Sequence, residues 1–199
     1  MVPVTEIRRL KASDALDIAA LHYTAFEDFF LTSLGKPFLT VFYRSILNNK
    51  NGIGVGVFID SNLVAFAIGT MNNSGFYKAL IRNNGFCLAL KALPNLITNP
   101  GKLRRLKAAL LTSGNSTYTD TPSLLSICVS PLLKQAGTGS RLLREFEEMV
   151  NVNHGSEIIL TTDNLNNFAA NQFYKKNNYS CVQSFFQGNR EMNLYYKKL

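Results

Sequence analysis

The stretch that most constrains this chain is Leu124 to Glu148, which reads LLSICVSPLLKQAGTGSRLLREFEE. Leu124–Val129 is a short apolar run of branched residues, the pattern of a buried strand. Pro131 ends it, because proline has no N–H to give to a ladder. Beyond the turn, Leu142, Leu143, Phe146, Met149 and Val150 recur on one face of a helix, and Arg144, Glu145, Glu147 and Glu148 cover the other. Between strand and helix lies Lys134-Gln135-Ala136-Gly137-Thr138-Gly139-Ser140. A turn of this kind presents unpaired N–H groups and the positive end of a helix dipole. Gly137 and Gly139 carry no Cβ to keep a ligand away. The chemistry this suits is phosphate or pyrophosphate binding; the plain alternative is an ordinary glycine-containing strand–helix turn.

Two phosphate loops are excluded by spacing. No Gly-Lys-Ser/Thr is present, so this is not a Walker loop, and the third glycine of the dinucleotide fingerprint is missing. Val129-Ser130-Pro131, Lys134-x-x-Gly137-x-Gly139 and Leu142-Leu143 instead resemble the pyrophosphate loop of the GNAT superfamily of acetyl-CoA-dependent N-acetyltransferases. Lys134 stands where that family has Arg or Gln; it keeps the charge and loses the planar fork. A second stretch, Asn167-Phe168-Ala169-Ala170-Asn171-Gln172-Phe173-Tyr174 followed by Lys175 to Tyr179, resembles the family's downstream signature. Asn178 replaces the usual glycine at a helix end, where Asn is the next-best residue for a left-handed cap.

The resemblance implies a mixed α/β (α+β) GNAT fold: a central sheet with flanking helices over residues 1–199 as a single domain. Acetyl-CoA is implied as co-substrate. Ile127, Cys128 and Val129 would bind pantetheine and thioester in a gap beside their strand. Residues Lys134 to Ser140 would hold the pyrophosphate, and Asn167 the pantetheine or phosphate end. Tyr174 falls at the family's general-acid position, with aromatic packing as its alternative role. Glu27 and Asp28, in a loop expected beside the acceptor, are candidate bases or solvated carboxylates; a water chain is a third route. His22 reads as a satisfied helix residue in preference to a base.

The remaining order fits. Val4–Leu10 alternates as a strand, and Ser13-Asp14 reads as a helix cap. The following helix, Ala15 to Phe26, carries Leu16, Ala19, Ala20 and Tyr23 at helical spacing. A second helix runs from Pro37 to Leu47, with Phe38, Val41, Phe42 and Ile46 inward. Gly54–Ile59 and Leu63–Thr70 pair across Asp60-Ser61-Asn62. Residues 73–122 are read as a helical insertion, with helices at Phe76–Leu93 and about Gly101–Leu111 separated by Pro94 and Asn99-Pro100-Gly101. Its basic run Lys102-Leu103-Arg104-Arg105-Leu106-Lys107 is a solvated face, an acceptor wall or a peripheral membrane contact. A strand over Glu157–Thr162, a helix over Asn167–Asn177 and a closing hairpin around Gly188-Asn189 complete the chain.

Charge and cysteines bound the class further. The net charge of +8 attracts anions. A nucleic-acid-binding protein is one reading, but no helix-turn-helix, zinc finger or aromatic RNA motif is visible. Coenzyme A accounts for part of the charge, and a nucleotide-linked amino sugar as the amine acceptor would account for more. Cys87, Cys128 and Cys181 make no metal motif or disulfide framework, so a cytoplasmic enzyme is expected. Monomer and homodimer both fit, with no span long enough to cross a membrane. The rival to a catalyst is a non-catalytic CoA-binding module of the same fold.

Overall fold

The computed structural model describes residues 4–27, 29–97, 118–133 and 137–199. Seven strands form one sheet: β1 (Thr5–Arg9), β2 (Gly52–Ile59), β3 (Asn62–Thr70), β4 (Ser123–Val129), β5 (Glu157–Asp163), β6 (Ser180–Gln187) and β7 (Arg190–Lys198). Their order is β1-β2-β3-β4-β5-β7-β6. All neighbours are antiparallel except β4 and β5. The β2–β3 hairpin turns on Asp60 and Ser61, both at positive φ, as a two-residue loop with the twist of its strands requires.

Five helices are described: α1 (Ala15–Ala25), α2 (Lys36–Leu47), α3 (Phe76–Ile97), α4 (Thr138–Val152) and α5 (Phe168–Lys176). Strand alternation divides the core between the two faces of the sheet. Phe66, Ile68 and Cys128 pack with α1, α2 and α3. Ala65, Ala67 and Leu124 pack with Leu142, Leu143, Phe146 and Val150 of α4, as the 3.6-residue spacing predicts.

Four expectations are corrected. In α1 the buried face is Ala15, Ile18, Ala19, Leu21 and His22, while Leu16 and Tyr23 are exposed. Asp14 makes no side-chain cap to α1. Its carboxylate accepts from the Lys11 N–H and from both ends of the Arg8 guanidinium, which hold it below the usual carboxylate range, the Arg8 hydrogen bond first. In α2, Phe38, Leu39, Tyr43, Ser45 and Ile46 are buried, and Val41 and Phe42 are only half-buried. Finally, α3 runs through Pro94 to Ile97 instead of breaking there. The expected helix at 101–111 and the basic run 102–107 lie outside the described residues.

Glu147 is also not on the solvated face. It is buried, accepting from the Tyr179 hydroxyl at 2.9 Å and from Lys197 Nζ at 2.7 Å. The tie joins α4 to the closing hairpin. Glu147→Leu would leave an ammonium without its carboxylate and a buried phenol without an acceptor. Chemical denaturation should show a loss of roughly 2–3 kcal/mol, by the cost of splitting such a pair with Lys197 partly solvated.

Candidate active site

The two middle strands part company. β4 and β5 pair only at Ser123↔Ile159 and Leu124↔Leu160, although both continue several residues further. On its other edge β4 stays paired to β3 through Val129. Ser130 donates its N–H to Val64 on that β3 side. Backbone polar groups of successive strand residues point to opposite edges, so those of Ile127 and Val129 face the gap. A buried strand edge with no partner is a liability unless a ligand completes it.

A cavity of about 450 Å³ occupies the gap. Leu125 to Val129 line it from β4, and Thr161 and Thr162 from β5. Gly139, Ala170, Phe173 and Tyr174 close one end, and His22, Phe26, Phe29, Phe42, Tyr43 and Ile46 the other. Ile127, Cys128, Val129, Gly139, Asn167 and Tyr174 therefore come together, although they span much of the sequence. Thr138 and Ser140 begin α4 without lining the cavity, and Gly137, at φ +84°, is the left-handed residue that turns the chain into α4. Glu27 is exposed and outside the lining. Asp28, Lys134, Gln135 and Ala136 lie outside the described residues.

At Gly139 an added Cβ would lie 3.3 Å from the Phe173 ring and 3.7 Å from Val129. Its backbone thus comes close to both walls in the first turn of α4, where N–H groups have no carbonyl a turn behind them. On the opposite wall, Asn167 donates to Thr162 Oγ1 at 2.7 Å.

Tyr174 is held by its surroundings. Asn171, one turn earlier, donates to the Asp163 and Asn167 carbonyls and accepts from Asn193 Nδ2 and the Tyr195 hydroxyl at 3.0 and 2.9 Å. That saturated carboxamide fixes α5 against β5 and β7. The Tyr174 ring packs edge-on to Phe173 and Tyr179. Burial, with Tyr195 adding to it, pushes the phenol well above its ordinary value, so it keeps its proton at any working pH.

Sequence reasoning missed His22. It is 3% exposed, and Nδ1 sits 2.6 Å from the Tyr43 hydroxyl, which donates to Ser126 Oγ at 3.3 Å. Nε2 is buried with no hydrogen-bond partner among the described residues. The signal was there, since His22 shares a helical face with Ile18, Ala15 and Ala19, but a single histidine in an apolar helix says nothing of a cavity. Burial pushes the imidazole down to about 4. Between pH 6.5 and about 4 the unfolded chain therefore binds a proton that the folded chain refuses. Stability falls as pH is lowered through that window and is unaffected by this group above it. From pH 7 to 5, urea unfolding should show a loss of about 2 kcal/mol from His22, which His22→Gln removes.

Burial pushes the Cys128 thiol up to about 12, so the thiolate a nucleophile needs is scarce. Among the described residues no group of three or more His, Cys, Asp or Glu could hold a metal ion, and no helix is long and apolar enough to cross a membrane.

A seven-stranded sheet, mixed in direction and parted beside its central strand, is the fold of the GNAT acetyltransferases. Solved structures bear this out along the full chain. A GNAT-family protein from Desulfovibrio desulfuricans superposes with a TM-score of 0.64 at 14% identity, over 98% of this chain and 99% of its own. The ribosomal-protein-S18-alanine N-acetyltransferase from Escherichia coli gives 0.61 at 13% identity, over 98% and 94%. PaiA N-acetyltransferase from Thermoplasma acidophilum, in complex with coenzyme A, gives 0.59 at 15% identity, over 98% and 99%. No protein-family model and no curated protein sequence matches the chain.

Proposed function

We propose that the protein is an N-acetyltransferase that takes acetyl-CoA in the gap between β4 and β5 and acetylates a primary amine. The observation that carries this is the parting of the two strands after Leu124, with Gly139 at one end of the gap and Tyr174 on its wall. Acetyl-CoA supplies the activated thioester when bound. Ile127 and Val129 offer backbone groups to an amide-bearing chain lying as a missing strand, and the start of α4 favours an anion beside Gly139. Tyr174 carries the proton that a departing thiolate needs. With Cys128 protonated, the fitting reaction is direct attack by the amine rather than transfer through the enzyme. The free cysteines Cys87, Cys128 and Cys181 support a reducing, cytoplasmic setting.

The nucleotide-linked amino sugar rests on Lys102, Arg104, Arg105 and Lys107, outside the described residues, and enters as one member of an acceptor panel. A non-catalytic module would share the gap but has no use for a buried imidazole whose Nε2 has no hydrogen-bond partner among the described residues. Calorimetric titration tests the first step. Acetyl-CoA should bind saturably at one site and be displaced by CoA; the absence of binding would overturn the proposal.

A further inference from the structure

We infer that the α1–α2 half of the cavity is a chamber for an apolar primary amine, and that His22 Nε2 is the base that takes its proton; this rests on the acetyl-transfer reading above. His22 is one of the residues lining the cavity, and with Nδ1 committed to Tyr43, its buried Nε2 is the ring nitrogen left without a hydrogen-bond partner among the described residues. A buried polar atom without a partner is rare in folded proteins, and a ligand is one of the few things that excuse it. In this proposal the Tyr43 hydrogen goes to Ser126, which assigns the hydrogen between His22 and Tyr43 to Nδ1. That leaves a lone pair on Nε2, an acceptor for an amine N–H.

The cavity wall beside His22 is aromatic and aliphatic. Phe26 lies 4.9 Å from the His22 ring, centroid to centroid, and Phe29 packs 4.8 Å from Phe26. Phe42, Leu31 and Ile46 continue the same surface. Such a wall fits an amine carrying an aryl or alkyl body and disfavours a second charge. It also favours the uncharged form of the amine, the form that can attack. As the amine nitrogen bonds to the thioester carbonyl carbon, the C–S bond breaks. The nitrogen becomes cationic and acidic as the new bond forms, so even a weak base suffices. Its proton passes to Nε2, and the departing thiolate takes the Tyr174 proton. Solvent then restores both side chains, giving one amide and one thiol.

Only two histidines, His22 and His154, are present, so nitrogen-15 histidine labelling of the full chain gives an assignable spectrum. At pH 7 His22 should be the neutral tautomer with hydrogen on Nδ1, and its Nε2 signal should move when phenethylamine is added with CoA bound. Hydrogen on Nε2, or no response to saturating amine, would overturn the role of His22. In kinetics, His22→Gln should lower kcat about 100-fold and leave the acetyl-CoA KM unchanged; kcat within about threefold of the native value would overturn it. Phenethylamine and hexylamine should exceed spermidine and a nucleotide-linked amino sugar about tenfold or more in kcat/KM. The reverse order would overturn the chamber while leaving acetyl transfer intact, whereas failure to bind acetyl-CoA would overturn both.

Discussion

Gly139→Glu is expected to abolish acetyl-CoA binding in a chain that remains folded. The backbone there tolerates a Cβ, because its contacts are the far edge of the Phe173 ring and a Val129 methyl, which can give by tenths of an ångström. A carboxylate in the first turn of a helix is, if anything, mildly stabilising. The damage is confined to the ligand: a longer side chain enters the cavity that Gly139 lines, and its charge repels a pyrophosphate. Affinity should fall by about 100-fold or more, which corresponds to roughly 3 kcal/mol. Gly139→Ala is the control and should bind nearly as the native chain does. Calorimetry alongside circular dichroism reads both quantities. Equal affinity in a folded Gly139→Glu would move the phosphate site elsewhere.

Tyr174→Phe separates chemistry from binding. Phenylalanine keeps the edge-on contacts with Phe173 and Tyr179 and removes only the hydroxyl. The raised phenol guarantees that the proton is present, although it also makes Tyr174 a reluctant acid until a thiolate develops beside it. We expect kcat to fall about 100-fold with acetyl-CoA affinity little changed, the signature of an interaction made only in the transition state. Native kcat in Tyr174→Phe would make the residue a packing element.

Much of this architecture was legible in the residues because it is local. The strand–turn–helix at 124–150 follows from a period change and two glycines, and Asn178 sits at φ 66°, as a left-handed helix end demands. The misread parts depend on distant partners. Glu147 looks like one of three surface acids until Tyr179 and Lys197 arrive from the closing hairpin. In α1 nearly every residue is apolar or small, so the spacing of Leu16 and Tyr23 is as helical as that of Ile18 and His22, and only the sheet beneath chooses the face. The gap between β4 and β5 is a missing set of hydrogen bonds, which no single strand's sequence encodes; family resemblance alone pointed to it. Glu27, placed beside the acceptor by its loop, turns out exposed, while a buried ring nitrogen without a hydrogen-bond partner among the described residues belongs to a histidine on the preceding helix.

The most direct test of acetyl transfer is amine-dependent thiol release. The purified chain is mixed with acetyl-CoA and, in turn, alkyl and aryl amines, polyamines, amino acids, peptides and nucleotide-linked amino sugars. Free thiol is followed by a chromogenic disulfide, and the amine by mass spectrometry. Acetyl transfer predicts that thiol beyond the protein's own cysteines appears only when protein and an accepted amine are both present, matched one for one by N-acetylated amine. Saturable acetyl-CoA binding without thiol release for any amine would contradict it and leave a CoA-binding module in its place.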